Sequence, residues 1–189
     1  MGQSLLSGPG LINFIFSFFI FVLMARFAMH ASRVDGYNPI AHGVIRATNW
    51  LIKPIQKVIR PIAGRFDLAT VIAALVVKVI ALVLTGNQVY GVGPLLIAAV
   101  AGVILMLLQV YWYALILMVV MSWIAPQDNH PAPMLIRQLT EPVMAPLRKV
   151  IPPLGMLDLS PIIAFLLINF LEYGVSALAN RLVMAVILS

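Results

Sequence analysis

Between Leu95 and Ile124 the chain runs for thirty residues without a charged side chain. As a helix that run would extend about 45 Å, longer than the roughly 30 Å hydrocarbon core of a bilayer. Three further apolar runs accompany it: Leu11 to Met29, Leu68 to Thr85 interrupted only by Lys78, and Pro161 to about Asn180. Across 189 residues, 62% are hydrophobic and 10% charged, where an ordinary soluble domain is about a quarter charged. That leaves too little polar surface to coat a soluble globule. The expectation is an all-α membrane protein with four transmembrane helices. The first run lacks the basic n-region and small-residue cleavage site of a signal peptide, so it reads as a retained span. Without cysteines there are no disulfides and no thiolate chemistry.

The net charge of +6 gains meaning from its placement. With four spans, the segments after the first and third lie on one side of the membrane. One holds Arg33, Arg46, Lys53, Lys57, Arg60 and Arg65, with Arg26 at its edge; the other holds Arg137, Arg148 and Lys149. Ten of twelve basic residues thus share a face, leaving Lys78 and Arg181. The positive-inside bias makes that face cytoplasmic and both termini periplasmic. The pattern is one of topology and argues against nucleic acid as a partner.

The two segments also align with each other. Thr48, Lys53-Pro54, Lys57-Val58-Ile59 and Pro61 correspond to Thr140, Ala145-Pro146, Lys149-Val150-Ile151 and Pro153. Asn38-Pro39 faces His130-Pro131; after a one-residue gap, Gly64, Asp67, Leu68 and Ile72 face Gly155, Asp158, Leu159 and Ile163. Extending the register upstream pairs Met24 with Met121 and Ala28 with Ala125. Each half is span, cytoplasmic segment, span, so an even number of spans gives two parallel repeats. The first covers residues 1–88, with spans at about 5–29 and 68–85; the second covers 89–189, with spans at about 102–125 and 161–181. On this register Leu95 to Ala101 becomes a linker or interfacial turn.

The second copy, with Thr140-Glu141-Pro142, Pro146-Leu147-Arg148-Lys149, Pro152-Pro153, Gly155 and Asp158-Leu159-Ser160-Pro161, resembles the YggT family, called YlmG in Gram-positive bacteria. Its two-copy form resembles the proteobacterial members, and the resemblance covers nearly the whole chain. The first copy is diverged, with Asp67-Leu68-Ala69-Thr70 in place of the fuller motif. The resemblance implies a bacterial inner-membrane protein. It further implies links to osmotic or extracytoplasmic stress and to cell-division neighbourhoods, and in plastid relatives to haem-protein assembly and nucleoid organisation.

On a helical wheel Ile40, Val44, Leu51, Ile52, Ile55, Val58, Ile59 and Ile62 fall within an arc of roughly 120°, opposite His42, Arg46, Lys53, Lys57 and Arg60. In the second segment Leu135, Leu139, Val143, Leu147 and Val150 oppose Arg137, Glu141, Arg148 and Lys149. A basic face against an aliphatic one suits an amphipathic helix lying on anionic lipid. The same pattern would arise if the apolar faces packed on protein and the basic ones were simply solvated. Pro54, Pro142 and Pro146 should divide each segment into two short helices.

Among the polar residues inside spans, Lys78, Asn169 and Glu172 stand out. Charges there cost about 2.5–3.5 kcal/mol on insertion scales and are functional candidates by default. Lys78 and Glu172 could pair across the repeat interface and line a polar path; alternatively Lys78 snorkels and Glu172 sits protonated or near the surface. Asp67 and Asp158 each begin a span, where an acid complements the helix dipole, and Ser160 before Pro161 is a good cap. No base or nucleophile accompanies them, so no enzyme activity is expected. His30, His42 and His130 lack metal-ligand spacing, and no cofactor is expected.

The leading expectation is a non-enzymatic scaffold or assembly factor at the cytoplasmic membrane face. The alternative is a small ion channel or transporter-like protein using Lys78, Asn169 and Glu172. Anionic lipid, a membrane-protein partner or a second copy of the chain are the expected contacts, since four spans enclose little space.

Overall fold

The computed structural model describes residues 8–59, 66–85, 91–124, 130–150 and 158–188. They form six helices: α1 (Gly8–Ala31), α2 (Pro39–Gln56), α3 (Leu68–Leu84), α4 (Val92–Ile124), α5 (Pro131–Val150) and α6 (Ser160–Leu188). The order α1–α2–α3 recurs as α4–α5–α6, which is the internal repeat in three dimensions. Arg60, Ile62 and Arg65 lie outside the described residues.

Three helices are long and apolar enough to cross a membrane: α1 from Gly10 to Ala31, α4 with 33 residues and α6 with 29. The remaining apolar helix, α3, has 17 residues, a length of about 25 Å. Two boundaries differ from the sequence expectation. Leu95 to Ala101 is no linker but part of α4, because Gly93 and Pro94 fall in its first turn, where proline is tolerated, and good helix formers follow. Likewise α6 continues through Arg181 to Leu188.

The connecting segments are single helices, where the prolines were expected to divide them. Pro54 stands in the last turn of α2, and Pro142 and Pro146 lie one turn apart within α5. All three rings are on the exposed face. A proline there removes one backbone donor and frees a carbonyl on the outward side, where polar surroundings can solvate it. Asn38 starts α2: its side-chain oxygen accepts from the backbone N–H of Ile40 (3.0 Å) and Ala41 (3.4 Å), with Pro39 following at the first helical position.

Packing follows side-chain size. On α3 the residues Ala69, Ala73, Val77 and Ala81 recur at four-residue spacing and are buried, so that α1 approaches closely with Ile20, Leu23, Met24 and Ala28. The same arrangement joins α4 to α6, where Leu115 meets Ala164 and Ile168, with Met144 of α5 closing the cluster. Contacts of α4 with α1 and α3 unite the copies. Outward faces remain apolar: Phe14, Phe18, Val83, Leu117, Leu166 and Phe170 are exposed, as suits a surface that meets lipid.

α2 buries Ala41, Thr48 and Ile52, and α5 buries Leu135, Ile136, Leu139, Thr140 and Met144. Their opposite faces carry the exposed residues His42, Arg46 and Lys53, and Arg137 and Lys149. The connection after α1 is stitched to α5. Ser32 Oγ donates to the Leu139 carbonyl (3.2 Å), the Asp35 N–H donates to Gln138 Oε1 (3.0 Å), and Asn38 Nδ2 donates to the Pro131 carbonyl (2.7 Å).

α1 ends in a tight reversal. The Val34 N–H reaches the Met29 carbonyl and the Arg33 N–H that of His30, with Arg33 itself at φ 53°. This paired bonding favours glycine at the left-handed position. Arg33 is exposed, so Arg33→Gly should relieve backbone strain and stabilise the protein by about 1 kcal/mol. Thermal unfolding in detergent would show it as a raised midpoint; a lowered one would mean that the arginine side chain makes a needed contact.

Candidate functional site: two related polar junctions

Each copy brings the end of its first long helix, its middle helix and the start of its last helix to one junction, and polar side chains meet there. In the first copy the guanidinium belongs to Arg26 on α1, only 6% exposed. Its Nη1 donates to Thr48 Oγ1 at 2.7 Å, Asn49 Oδ1 at 2.9 Å and the Ile45 carbonyl at 3.0 Å, all on α2. Its Nε lies 3.8 Å from Asp67 Oδ2 at the start of α3. That same oxygen accepts from Gln56 Nε2 (2.8 Å) and Thr70 Oγ1 (2.7 Å). Asp67 is fully buried and its Oδ1 has no hydrogen-bond partner. Leaving a carboxylate oxygen bare is costly. The positive end of α3 and the Arg26 charge offset part of that cost.

The second copy keeps the positions and moves the charge. Thr48, Asn49, Gln56 and Asp67 become Thr140, Glu141, Arg148 and Asp158. Here the guanidinium comes from α5: Arg148 Nε lies 3.1 Å from Asp158 Oδ2, and its Nη1 lies 3.4 Å from Glu141 Oε2. Both threonines are buried and donate to the carbonyl four residues back, each at 2.8 Å. Where α1 presents Arg26 to Thr48, α4 presents Met118, whose Sδ lies 3.3 Å from Thr140 Oγ1, so the long helices align five residues off the register that set Met24 against Met121. Beside this contact lies a cavity of about 770 Å³ between α4, α5 and α6. Met118, Ile136, Ile162 and Phe165 are among its apolar walls, and Arg137, Thr140, Glu141, Arg148 and Asp158 form its polar side.

Burial at this junction would by itself raise the Asp158 pKa. Hydrogen bonds from Ser160, whose N–H donates to Oδ1 at 2.9 Å, and the charge of Arg148 outweigh it and hold the carboxyl below its usual range. The Asp158–Arg148 contribution is therefore full above the unfolded aspartate value of about 3.9 and is lost as pH falls through the lower folded value.

Several expected residues are placed differently. Arg26, expected at the edge of the first basic segment, is the hub of the first junction. Asp67 stands at the helix start yet makes no side-chain cap bond. Ser160, expected to cap α6, is buried with its hydroxyl unpartnered, and Asp158 accepts its N–H instead. Pro161 lines the cavity. Arg46, Lys53, Lys57, Arg137 and Lys149 are exposed, as are Pro54 and Pro146, whereas Arg148 is held in ion pairs.

The trio expected inside the spans is not assembled among the described residues. No ion pair joins Lys78 to Glu172 among the described residues. Lys78 instead runs along Gly102 of α4, where a methyl group would overlap its Cε. Asn169 is exposed and donates to the Phe165 carbonyl of its own helix (2.8 Å). The junctions themselves escaped the sequence reading. The available signal was where the copies differ: Asn49 opposite Glu141 and Gln56 opposite Arg148 show charge gained around an unchanged aspartate.

Comparison with known proteins fits this duplicated architecture. The family model described as CCB3/YggT matches twice, over residues 7–88 and 97–179. An uncharacterised protein of Pseudomonas aeruginosa is 36% identical over 161 residues, covering 82% of this chain and 81% of its own. YggT of Escherichia coli K12 is 30% identical over 170 residues, covering 88% and 87%. A shorter match, 40% over 67 residues, is to CCB3, a chloroplast protein of Arabidopsis thaliana named for cofactor assembly of complex C. It covers 34% of this chain and 38% of that one. No solved structure matches. With both copies matched and a relative 36% identical over four fifths of both chains, the chain belongs to the CCB3/YggT family.

Proposed function

We propose that the chain is a non-enzymatic scaffold or assembly factor of the bacterial inner membrane, with α2 and α5 on the cytoplasmic lipid surface. In this reading α1, α3, α4 and α6 are the four spans of two parallel repeats and both termini are periplasmic. The observation that carries it is the fixed presentation of two basic faces. α2 and α5 each bury one side on the spans and are tied at their ends to Asp67 and Asp158, which leaves Arg46, Lys53, Lys57 and Lys149 outward. Such a face holds anionic headgroups or an acidic partner without needing any chemistry of its own. The assembly role in the Arabidopsis relative's name supports the same reading, and the proposal extends to the stress link that the family resemblance implies. An ion conduit would need Lys78, Asn169 and Glu172 on one passage, and their separate placements lend it no support.

Lipid preference tests the proposal. Each basic residue near an anionic surface contributes about 1 kcal/mol. Lys53→Ala with Lys57→Ala should therefore weaken retention of phosphatidylglycerol over phosphatidylcholine by about 2 kcal/mol, roughly thirtyfold. Lipid bound to the full-length protein at matched composition is the readout. An unchanged preference would leave the basic faces as topology signals only.

A further inference from the structure

The two copies do not use their last helices alike. α3 packs on α1 of its own copy and on α4 of the other, whereas α6 packs on α4 and α5 and meets neither α1 nor α3 among the described residues. It is accordingly the least enclosed of the three long helices. In the register that sets Asp67 against Asp158, Lys78 corresponds to Asn169. Lys78 lies over Gly102 of α4, but Asn169 is exposed. Asn169 opens a polar row: Asn169, Glu172, Ser176 and Asn180 follow at three- and four-residue spacing and so share one side of α6. Apart from the bond of Asn169 to its own helix, none of these side chains has a hydrogen-bond or ion-pair partner among the described residues, and neither has Lys78. The two unpaired charges stand on one side of α4. Gly102, Leu105, Gln109 and Trp112 run along that side, beginning where Lys78 lies. The Trp112 ring meets the Phe165 ring edge-on at 5.9 Å, and Phe165, Asn169 and Glu172 continue the same side on α6. The helices α3, α4 and α6 thus form a row with Lys78 at one flank, Glu172 at the other and the exposed Gln109 between them.

We propose that this face binds a second copy of the chain about a twofold axis along the membrane normal, so that Glu172 of each copy pairs with Lys78 of the other. Such an axis leaves depth unchanged. Counted from Asp67 and Asp158, the two charges differ by three residues, about 4.5 Å, which their side chains span. The axis also reverses the row: α3 meets α6 of the second copy, α4 meets α4, and both ion pairs close at once. Gln109 falls beside the axis, where two amides donate to and accept from each other. The reason for this occupant is charge. An uncompensated ion in the hydrocarbon is costly, and a copy of the same chain supplies each one with its opposite in equal number. The inference rests on the four-span part of the proposed function and not on lipid at the basic faces; loss of the dimer would leave the phosphatidylglycerol preference in place.

The test uses the full-length protein in bacterial membranes. The chain has no cysteine, so Gln109→Cys places a single thiol beside the axis and leaves both ion pairs intact. Oxidation should join two such chains, because thiols at the axis come within disulfide reach, whereas Phe14→Cys, exposed on α1, should stay monomeric. In the Gln109→Cys background, Lys78→Glu and Glu172→Lys each set like charges against one another across the interface. Each should lower the cross-linked fraction about tenfold. Co-expressing the two variants should restore it, since each chain then offers the charges that the other lacks. A pair closed inside one chain gains nothing from such mixing, and misfolded chains would not recover. Cross-linking that neither reversal lowers, no recovery on co-expression, or no cross-link through Gln109→Cys, which would leave the face to lipid or to another protein's helix, would each overturn the proposal.

Discussion

Arg26→Met should cost about 3–5 kcal/mol of folding stability, a large share of what holds a small protein together. The loss is only in part that of an attraction. Asp67 is fully buried, and removing the guanidinium leaves its carboxylate with Gln56 and Thr70 as neutral donors and one oxygen bare. Thr48 and Asn49 lose their shared donor as well. The double variant Arg26→Met with Asp67→Asn removes charge from both sides and should recover most of the loss, because an isosteric neutral pair avoids the uncompensated ion. Arg148→Ala provides the contrast. Its side chain is 40% exposed and that of Asp158 is 33% exposed, so water and salt screen the pair and less than about 1 kcal/mol is expected. Denaturant unfolding of the wild type, Arg26→Met, Asp67→Asn, the double variant and Arg148→Ala in one detergent gives the cycle and its contrast. Equal costs at Arg26 and Arg148, or additive losses in the double variant, would show that burial does not set the energetics of the two junctions.

Ile52→Ala should cost about 2–5 kcal/mol. Ile52 is fully buried on α2, within the cluster that includes Leu23, Met24, Ala28 and Ala73. Deleting its outer carbons leaves a void that the surrounding helices fill only in part. Lipid cannot relieve it, because the site is enclosed by protein. The consequence should also be local: amide exchange across α2 should quicken more than across α5. Val58→Ala, on the same segment but 84% exposed, should stay within about 0.5 kcal/mol. If both substitutions cost the same, α2 does not dock through its apolar face.

What the sequence disclosed was whatever has a period. Apolar runs located α1, α3, α4 and α6, and matched residues such as Thr48 with Thr140 and Asp67 with Asp158 established the duplication. The faces of α2 and α5 followed from a wheel, with Ile52 inside and Lys53 outside. Two kinds of fact had no period. Pro142 and Pro146 read as helix breakers because propensity ignores where a proline faces, and on the outward side of a docked helix the freed carbonyls are tolerated. Arg26 and Asp67 are far apart in sequence; each alone looked like a boundary residue, an arginine near a span's end and an acid at a span's start. Only the return of the chain to the same level makes them partners. The thirty-residue apolar run gave length but no stop, so α4 began earlier than the repeat register suggested.

The bonds from Ser32, Asp35 and Asn38 to α5 have a consequence for how such a protein can diversify. Two identical chains related by a twofold axis must make every contact twice, so any change at their interface is felt on both sides. Tandem copies in one polypeptide are released from that rule. A contact need be made once, and each half can drift while the covalent link preserves their meeting. The result is a pseudo-dimer whose two junctions draw their guanidinium from different helices, α1 in one half and α5 in the other, an asymmetry that no pair of equal chains could hold without breaking its own symmetry.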